Sequence, residues 1–134
     1  MSIKIASFNC RGLKDNFKRR DIFNWLKKSK YDLILIQETH SGLRVENRWK
    51  AEWGCDVYFS HGTNNSRGVA ILLRNTFQYK VKCVKVDDDG RICLLKITFD
   101  ERDYIVASIY GPNVDDPNFF CKLFDMVESL KLMR

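Results

Sequence analysis

Four polar side chains stand where a sheet could hold them still: Asn9 after IKIASF (3–8), Glu38 after LILIQ (33–37), and Tyr110 and Asn113 in IYGPN. Open α/β sheets gather their ligand sites along the carboxyl ends of their strands. If segments 3–8 and 33–37 are parallel neighbours, Asn9 and Glu38 meet. A carboxylate and an amide oxygen form a hard, oxygen-only donor pair that suits Mg2+ or Mn2+. Mg2+ takes one or two protein carboxylates and completes its shell with water and substrate phosphate. Each residue also has an ordinary reading: a turn-forming Asn, a solvated Glu at a strand exit, a half-packed Tyr with a wet hydroxyl. Their coincidence at one edge singles out a site without naming an activity.

Other chemistry-bearing residues carry less. His40 is a candidate acid or base, but no acid in the sequence pairs with it, and an exposed loop histidine is the plainer reading. His61, beside GTNNSRG, is weaker still. Arg67 with Gly68 reads as an anion-binding loop or an ordinary turn. DDDG (87–90) has the acids of a calcium loop but neither its twelve-residue spacing nor its terminal Glu.

The elements that must position these residues follow from periodicity. IKIASF alternates like a strand, and LILIQ is an apolar run like a strand covered on both faces. Between them Ile22, Phe23 and Leu26 form a helical stripe, with Trp25 off it and Lys27, Lys28 and Lys30 crowding the end where the helix dipole favours cations. Strand–helix–strand implies parallel pairing through a crossover. CDVYF (55–59) and VAILL (69–73) are further strands around a loop at 61–68. Segments 78–86, 91–99 and 104–110, broken by DDDG and DERD, read as an antiparallel meander. Cys93, Leu95, Ile97 and Phe99 share one face of it, and Ile105, Ala107 and Ile109 another. Asp116–Pro117 is a helix start, followed by a stripe of Phe120, Leu123, Phe124, Val127 and Leu130. The expected fold is α/β (α+β): one mixed sheet of about six strands with flanking helices.

The chain of 134 residues fits one domain, 1–134, and its 45% hydrophobic and 30% charged residues are those of a globular protein. Nothing resembles a signal peptide or membrane span, so an intracellular setting, nucleus or cytoplasm, without membrane partners is expected. Five widely spaced cysteines suggest neither disulfides nor zinc, and read as reduced, buried thiols. The net charge of +6 favours a polyanionic partner, though basic residues bunched from Lys14 to Lys30 also suit the wet face of a helix.

In order and at these separations, SFNCRGL (7–13), LILIQETH (33–40), SRGVAILL (66–73), DDGRICLL (88–95) and ASIYGPN (107–113) resemble the endonuclease/exonuclease/phosphatase superfamily. The QETH and IYGPN forms are most similar to the apurinic-type endonuclease domain of LINE-like (non-LTR) retrotransposons. The resemblance implies a DNase I-like four-layered α/β sandwich and Mg2+-dependent (or Mn2+-dependent) hydrolysis of phosphodiesters. In LINE-type members this nicks target DNA for a reverse transcriptase carried on the same chain. Residue by residue, Glu38 matches the metal-binding glutamate and Asn9 the asparagine lining that site. Tyr110 matches the tyrosine on the attacked phosphate, Asn113 the asparagine beside it, and Arg11 a loop position near nucleic acid.

One departure is large. The family's second half carries Gly-Asp-Phe-Asn-like and Ser-Asp-His-like motifs that activate water. Here no Gly precedes Asp, and neither His40 nor His61 follows Asp. The resemblance therefore implies half of the sandwich, with the C-terminal half absent and the chain inactive as it stands. Alternatives are a non-catalytic remnant that binds nucleic acid or a partner, or another phosphoesterase or abasic-site repair enzyme of the superfamily. A single sheet lacking its cover would expose Cys93, Leu95, Ile97 and Phe99, or the face opposite, and self-associate.

Overall fold

The computed structural model describes residues 2–63 and 65–133. Strands β1 (Ile5–Asn9) and β2 (Leu33–Gln37) pair in parallel, Ile5 opposite Leu33 and Asn9 opposite Gln37, as the strand–helix–strand pattern requires. The crossover is helix α1 (Asn16–Lys28), capped by Asp15, whose side chain accepts from the Lys18 amide. A second helix, α2 (Glu46–Trp53), ends at Gly54, whose φ of 87° closes the last turn. Strands β3 (Val57–Ser60) and β4 (Val69–Leu73) are antiparallel, and β4 inserts antiparallel to β2. The order of this sheet is β1-β2-β4-β3.

The meander forms β5 (Lys80–Val86), β6 (Ile92–Phe99) and β7 (Arg102–Ile109) as expected, but as a separate sheet. The expected single sheet of about six strands is thus seven strands in two sheets, of four and three. Strand β6 shows why. It is apolar on both faces, so it needs two covers, and one following helix supplies only one. Leu33, Ile71 and Leu73 of the first sheet meet Cys93, Leu95 and Ile97 of the second, all fully buried. Each such aliphatic side chain contributes roughly 1.5–3 kcal/mol relative to exposure. Helix α3 (Pro117–Lys131) covers the opposite face through Phe119 and Leu130 against Ile92 and Leu94. Helices α1 and α2 cover the first sheet's outer face, with Phe23, Leu26, Trp49 and Trp53 on Ile34, Ile36 and Leu72. The result is an α/β/β/α sandwich built within these residues.

The bare inner face inferred from one uncovered sheet is therefore absent, and with it the basis for self-association through that face. Cys93, Leu95 and Ile97 are 0% exposed and Phe99 is 7% exposed, packed between the sheets. The α3 stripe is also corrected. Phe119, Leu123, Met126, Val127 and Leu130 face the sheet, whereas Phe120 and Phe124 are exposed. The turn at DERD narrows to Asp100 and Glu101, both left-handed (φ 53° and 65°), so Arg102 pairs with Phe99. That is the backbone a two-residue hairpin needs.

Two buried cations lie outside the hydrophobic reading. Arg19 is 1% exposed, and Lys96 on β6 donates from Nζ to the Leu130 carbonyl at 2.9 Å and to Met133, closing the C-terminal end of α3. No helix among the described residues is long and apolar enough to cross a membrane.

Candidate functional site

Strand directions bring five connections to one end of the sandwich: those after β1 and β2, between β3 and β4, between β5 and β6, and after β7. They meet backbone to backbone. Gly12 N donates to Glu38 O (2.6 Å) and Leu13 N to Thr39 O (3.1 Å), so the β1 exit runs on beside the β2 exit. Thr39 N donates to Gly68 O (3.0 Å), His40 N to Arg67 O (2.9 Å) and Gly68 N to Gly90 O (2.9 Å). Gly68 makes this approach feasible. Its φ is 91°, and a Cβ there would lie 2.2 Å from Thr39 Oγ1.

Glu38 sits in this knot with φ 57°, a left-handed conformation that costs a non-glycine residue roughly 1–2 kcal/mol. Arg11 (φ 51°), His40 (φ 53°) and Arg67 (φ 58°) are left-handed beside it. Such strain persists only where the surroundings over-determine it, and it gathers at functional sites. Here the backbone bonds on either side of Glu38 do the determining.

Asn9 stands opposite Gln37, so its backbone lies one residue from Glu38 on the neighbouring strand. Its Oδ1 accepts from Arg11 N at 3.1 Å, which fixes the amide and leaves the oxygen a second lone pair. Asn9 shares a strand face with Ser7, and a polar chain runs inward from there. Gln37 Nε2 donates to Ser7 Oγ (3.1 Å) and Ser108 Oγ (3.3 Å), and Ser108 Oγ donates to Ile36 O (3.1 Å). This chain ties β7 to β2 two residues before Tyr110.

Tyr110 is half-buried and held by its backbone. Its N–H donates to Arg91 O at 2.8 Å. Arg91 Nη1 donates back to Tyr110 O (3.2 Å) and Gly111 O (3.0 Å), with its guanidinium 5.4 Å from the Tyr110 ring centroid. Asn113 and Arg11 are exposed rim residues, and no contact among the described residues joins Asn113 to Glu38. Cys10 beside the site is no thiolate ligand. Burial pushes its thiol up to about 11, and Sγ donates to Gln37 O at 3.0 Å.

As a donor set, Glu38 and Asn9 offer one carboxylate and one amide oxygen. No group of three or more His, Cys, Asp or Glu side chains suited to a metal occurs among the described residues. The pair fits an Mg2+-type ion that keeps most of its shell as water and phosphate oxygens, not a cation needing an all-protein cage.

Several partners were not legible in the sequence. His40 is half-buried rather than exposed, its ring against Gly12, and its buried Nε2 makes no hydrogen bond among the described residues. His61, the weaker candidate, is the one that pairs with an acid: Nε2 lies 2.7 Å from Glu46 Oε1. Arg67 donates from Nε to Asp89 O (2.9 Å), so it is a loop brace. Arg91 lies inside a motif singled out above, but its hold on Tyr110 arises only when the β5–β6 turn meets the β7 exit.

Residues 6–130 match the sequence profile of the Endonuclease/Exonuclease/phosphatase family. The "Transposon TX1 uncharacterized 149 kDa protein" of Xenopus laevis is 28% identical over 132 residues, covering 97% of this chain and 10% of that protein. The solved structure of an AP endonuclease from Archaeoglobus fulgidus is similar with a TM-score of 0.61 and 26% identity, over 96% of this chain and 49% of that one. The chain thus spans a tenth of one relative and about half of the other. The motif-based resemblance and the DNase I-like α/β fold are both borne out. With a match running from β1 into α3 across the end where Asn9, Glu38 and Tyr110 gather, the chain belongs to the endonuclease/exonuclease/phosphatase family.

Proposed function

We propose that this chain carries the metal and phosphate side of a Mg2+-dependent phosphodiesterase that nicks DNA for a non-LTR retrotransposon. The observation that carries the reading is Glu38, held left-handed at the exit of a parallel strand beside Asn9. Unlike Asp100 and Glu101, whose left-handed backbone makes a hairpin turn, Glu38 is left-handed where several loops meet at a strand exit. Glu38 and Asn9 would hold the ion. A bound Mg2+ supplies Lewis-acid stabilisation of charge on the phosphate and the leaving oxygen. Tyr110 donates its hydroxyl to a non-bridging phosphate oxygen, with its ring orientation set by Arg91. Asn113 and Arg11, on the exposed rim, meet the nucleic acid backbone. The transposon relative, similar over 97% of this chain, supports the transposon setting, in which a DNA target and a reverse transcriptase would be the partners.

The water-activating motifs of the family do not occur in these 134 residues, so we place the chain as inactive alone. Supercoiled-plasmid nicking is measured with Mg2+ and with EDTA, beside Mn2+ titration of wild type and Glu38→Ala. The expected result is no nicking, with Mn2+ bound by wild type and lost in Glu38→Ala. Mg2+-dependent nicking that needs Glu38 overturns the inactivity. Wild type that binds no Mn2+ near Glu38 overturns the metal role. The AP endonuclease neighbour supports a second reading, repair of abasic sites. Preferential binding to a duplex with a synthetic abasic site would select it.

A further inference from the structure

We infer that His61, bridging Ser41 and Glu46, is the positioning residue that keeps Glu38 in its strained exit geometry. This rests on the proposed role of Glu38. Backbone hydrogen bonds hold Thr39 and His40 to the β3–β4 loop, but they set only where that loop must be. A buried side-chain chain fixes it. Thr39 Oγ1 lies 2.8 Å from Ser41 Oγ, and both residues are at most 1% exposed. Ser41 Oγ lies 3.0 Å from His61 Nδ1, and His61 Nε2 lies 2.7 Å from Glu46 Oε1. The His61 ring stacks on Phe59 at 5.0 Å and 24°, so it cannot turn freely. Gly62 N closes the loop on Ser41 O at 3.1 Å.

The chain has a direction. An ionised carboxylate only accepts, so Glu46 requires a proton on His61 Nε2. With His61 neutral, Nδ1 then accepts from the Ser41 hydroxyl, and Ser41 Oγ accepts from the Thr39 hydroxyl. Each polar atom in the row is satisfied in this arrangement, Ser41 Oγ by two partners and Thr39 Oγ1 by Ser41 Oγ and the Ser41 amide. The β2 exit is thereby tied to the β3 exit and to the first turn of α2, two separate anchors for a loop that is left-handed at Glu38 and His40. Ser41 resembles a nucleophile beside a histidine and an acid, but it is 1% exposed and already shared with Thr39, so its role is structural support. The row reaches Glu38 through the Thr39 backbone, one step further out than the direct partners that orient metal-binding side chains.

The test compares His61→Leu, Ser41→Ala and Glu46→Gln with Lys96→Met, a substitution under α3 away from this end. Mn2+ affinity is read from broadening of the Asn9 and Glu38 amide signals, and loop geometry from hydrogen exchange at Thr39 and His40. His61→Leu should weaken Mn2+ binding by about 10-fold, the lower end of what a direct partner of a metal ligand supplies, and lose protection at those two amides. Glu46→Gln, which keeps an acceptor for Nε2–H, should stay near wild type. Lys96→Met should lower Tm without changing either reading. If His61→Leu does not fold, Ser41→Ala, which removes one oxygen, must show the same pair of losses. Wild-type affinity and protection in His61→Leu, or in Ser41→Ala where that stands in, overturn the inference. If wild type binds no Mn2+, the metal reading fails by itself, and exchange at Thr39 and His40 still decides the positioning role.

Discussion

Replacing Arg19 with Met should remove about 3–4 kcal/mol of stability while leaving the packing nearly unchanged. All five guanidinium N–H groups are engaged. Nε and Nη2 donate to Glu52 Oε1 and Oε2 at 2.8 and 3.0 Å, Nη1 to Leu13 O and Lys14 O, and Nη2 also to Asn16 Oδ1. The side chain is 1% exposed and lies 5.1 Å from the Trp49 ring centroid. Met keeps the stem and loses every donor. Removing one member of a buried pair costs roughly 3–5 kcal/mol. Glu52 is 16% exposed and regains some hydration, which places the estimate at the lower end of that range. In a chain this size that is a fall in Tm of about 10–15 °C. Arg20 touches the same carboxylate at 3.3 Å but is 63% exposed, so Arg20→Ala should cost under about 0.5 kcal/mol. The pH dependence follows. Arg19's hydrogen bonds, chiefly, hold the Glu52 carboxyl below its ordinary value of 4.5. A depressed folded-state pKa gives stability that is present above the unfolded pKa and lost as pH falls through the folded one. Wild type should therefore lose stability more steeply than Arg19→Met below about pH 4.5. Urea unfolding at pH 7 and pH 3.5 measures both effects. An Arg19→Met penalty no larger than that of Arg20→Ala would refute the reasoning. So would parallel acid limbs.

Glu38→Gly should raise stability by about 1 kcal/mol by releasing left-handed strain, while Mn2+ binding is lost. A destabilised glycine variant, measured by urea unfolding, would mean Glu38 is not strained. Lys96→Met should cost about 1–3 kcal/mol by stranding the Leu130 and Met133 carbonyls, with exchange quickening first in the last turn of α3. Among the thiols, exposed Cys121 should react first with a thiol reagent at pH 8. Cys10 and Cys93, raised by burial to about 11 and about 12, should wait for unfolding; early modification of Cys93, followed by peptide mass, would contradict its burial.

Features set by local chemistry were legible. VAILL is β4 at its expected bounds, Asp116–Pro117 begins α3, and the parallel pair across α1 follows from residue order. Features set by distant partners were not. Arg19 sits among Lys18 and Arg20 and reads as solvated, because Glu52, 33 residues on, is what buries it. Helix α3 carries more apolar residues than one stripe can use. Periodicity alone therefore cannot choose Phe119, Leu123, Met126 and Leu130 over Phe120 and Phe124. The division into two sheets hides for a related reason: a meander announces its own pairing, not which surface its apolar face will meet. The candidate site divides the same way. Asn9, Glu38 and Tyr110 are strand ends, which sequence shows. The left-handed turn at Glu38 and the Ser41–His61–Glu46 row arise where loops from different strands touch.

That division bears on how such a site could vary. The knot around Glu38 is made of backbone groups and buried hydroxyls, with Gly68 excluding any larger residue. Substitutions there must disturb several loops together. Arg11 and Asn113 stand on exposed loops at the rim, and the Arg11 side chain braces none of the contacts that fix Glu38. Their identities can change with little energetic consequence for the fold, since exposed substitutions away from special backbone geometry usually stay within about 0.5 kcal/mol. Arg11, left-handed at φ 51°, is the rim position where that freedom narrows, to residues such as Asn or Gly that tolerate the turn. Under the proposed function, contact with the nucleic acid backbone and retention of the carboxylate fall to different residues, and a scaffold of this design can alter one without losing the other.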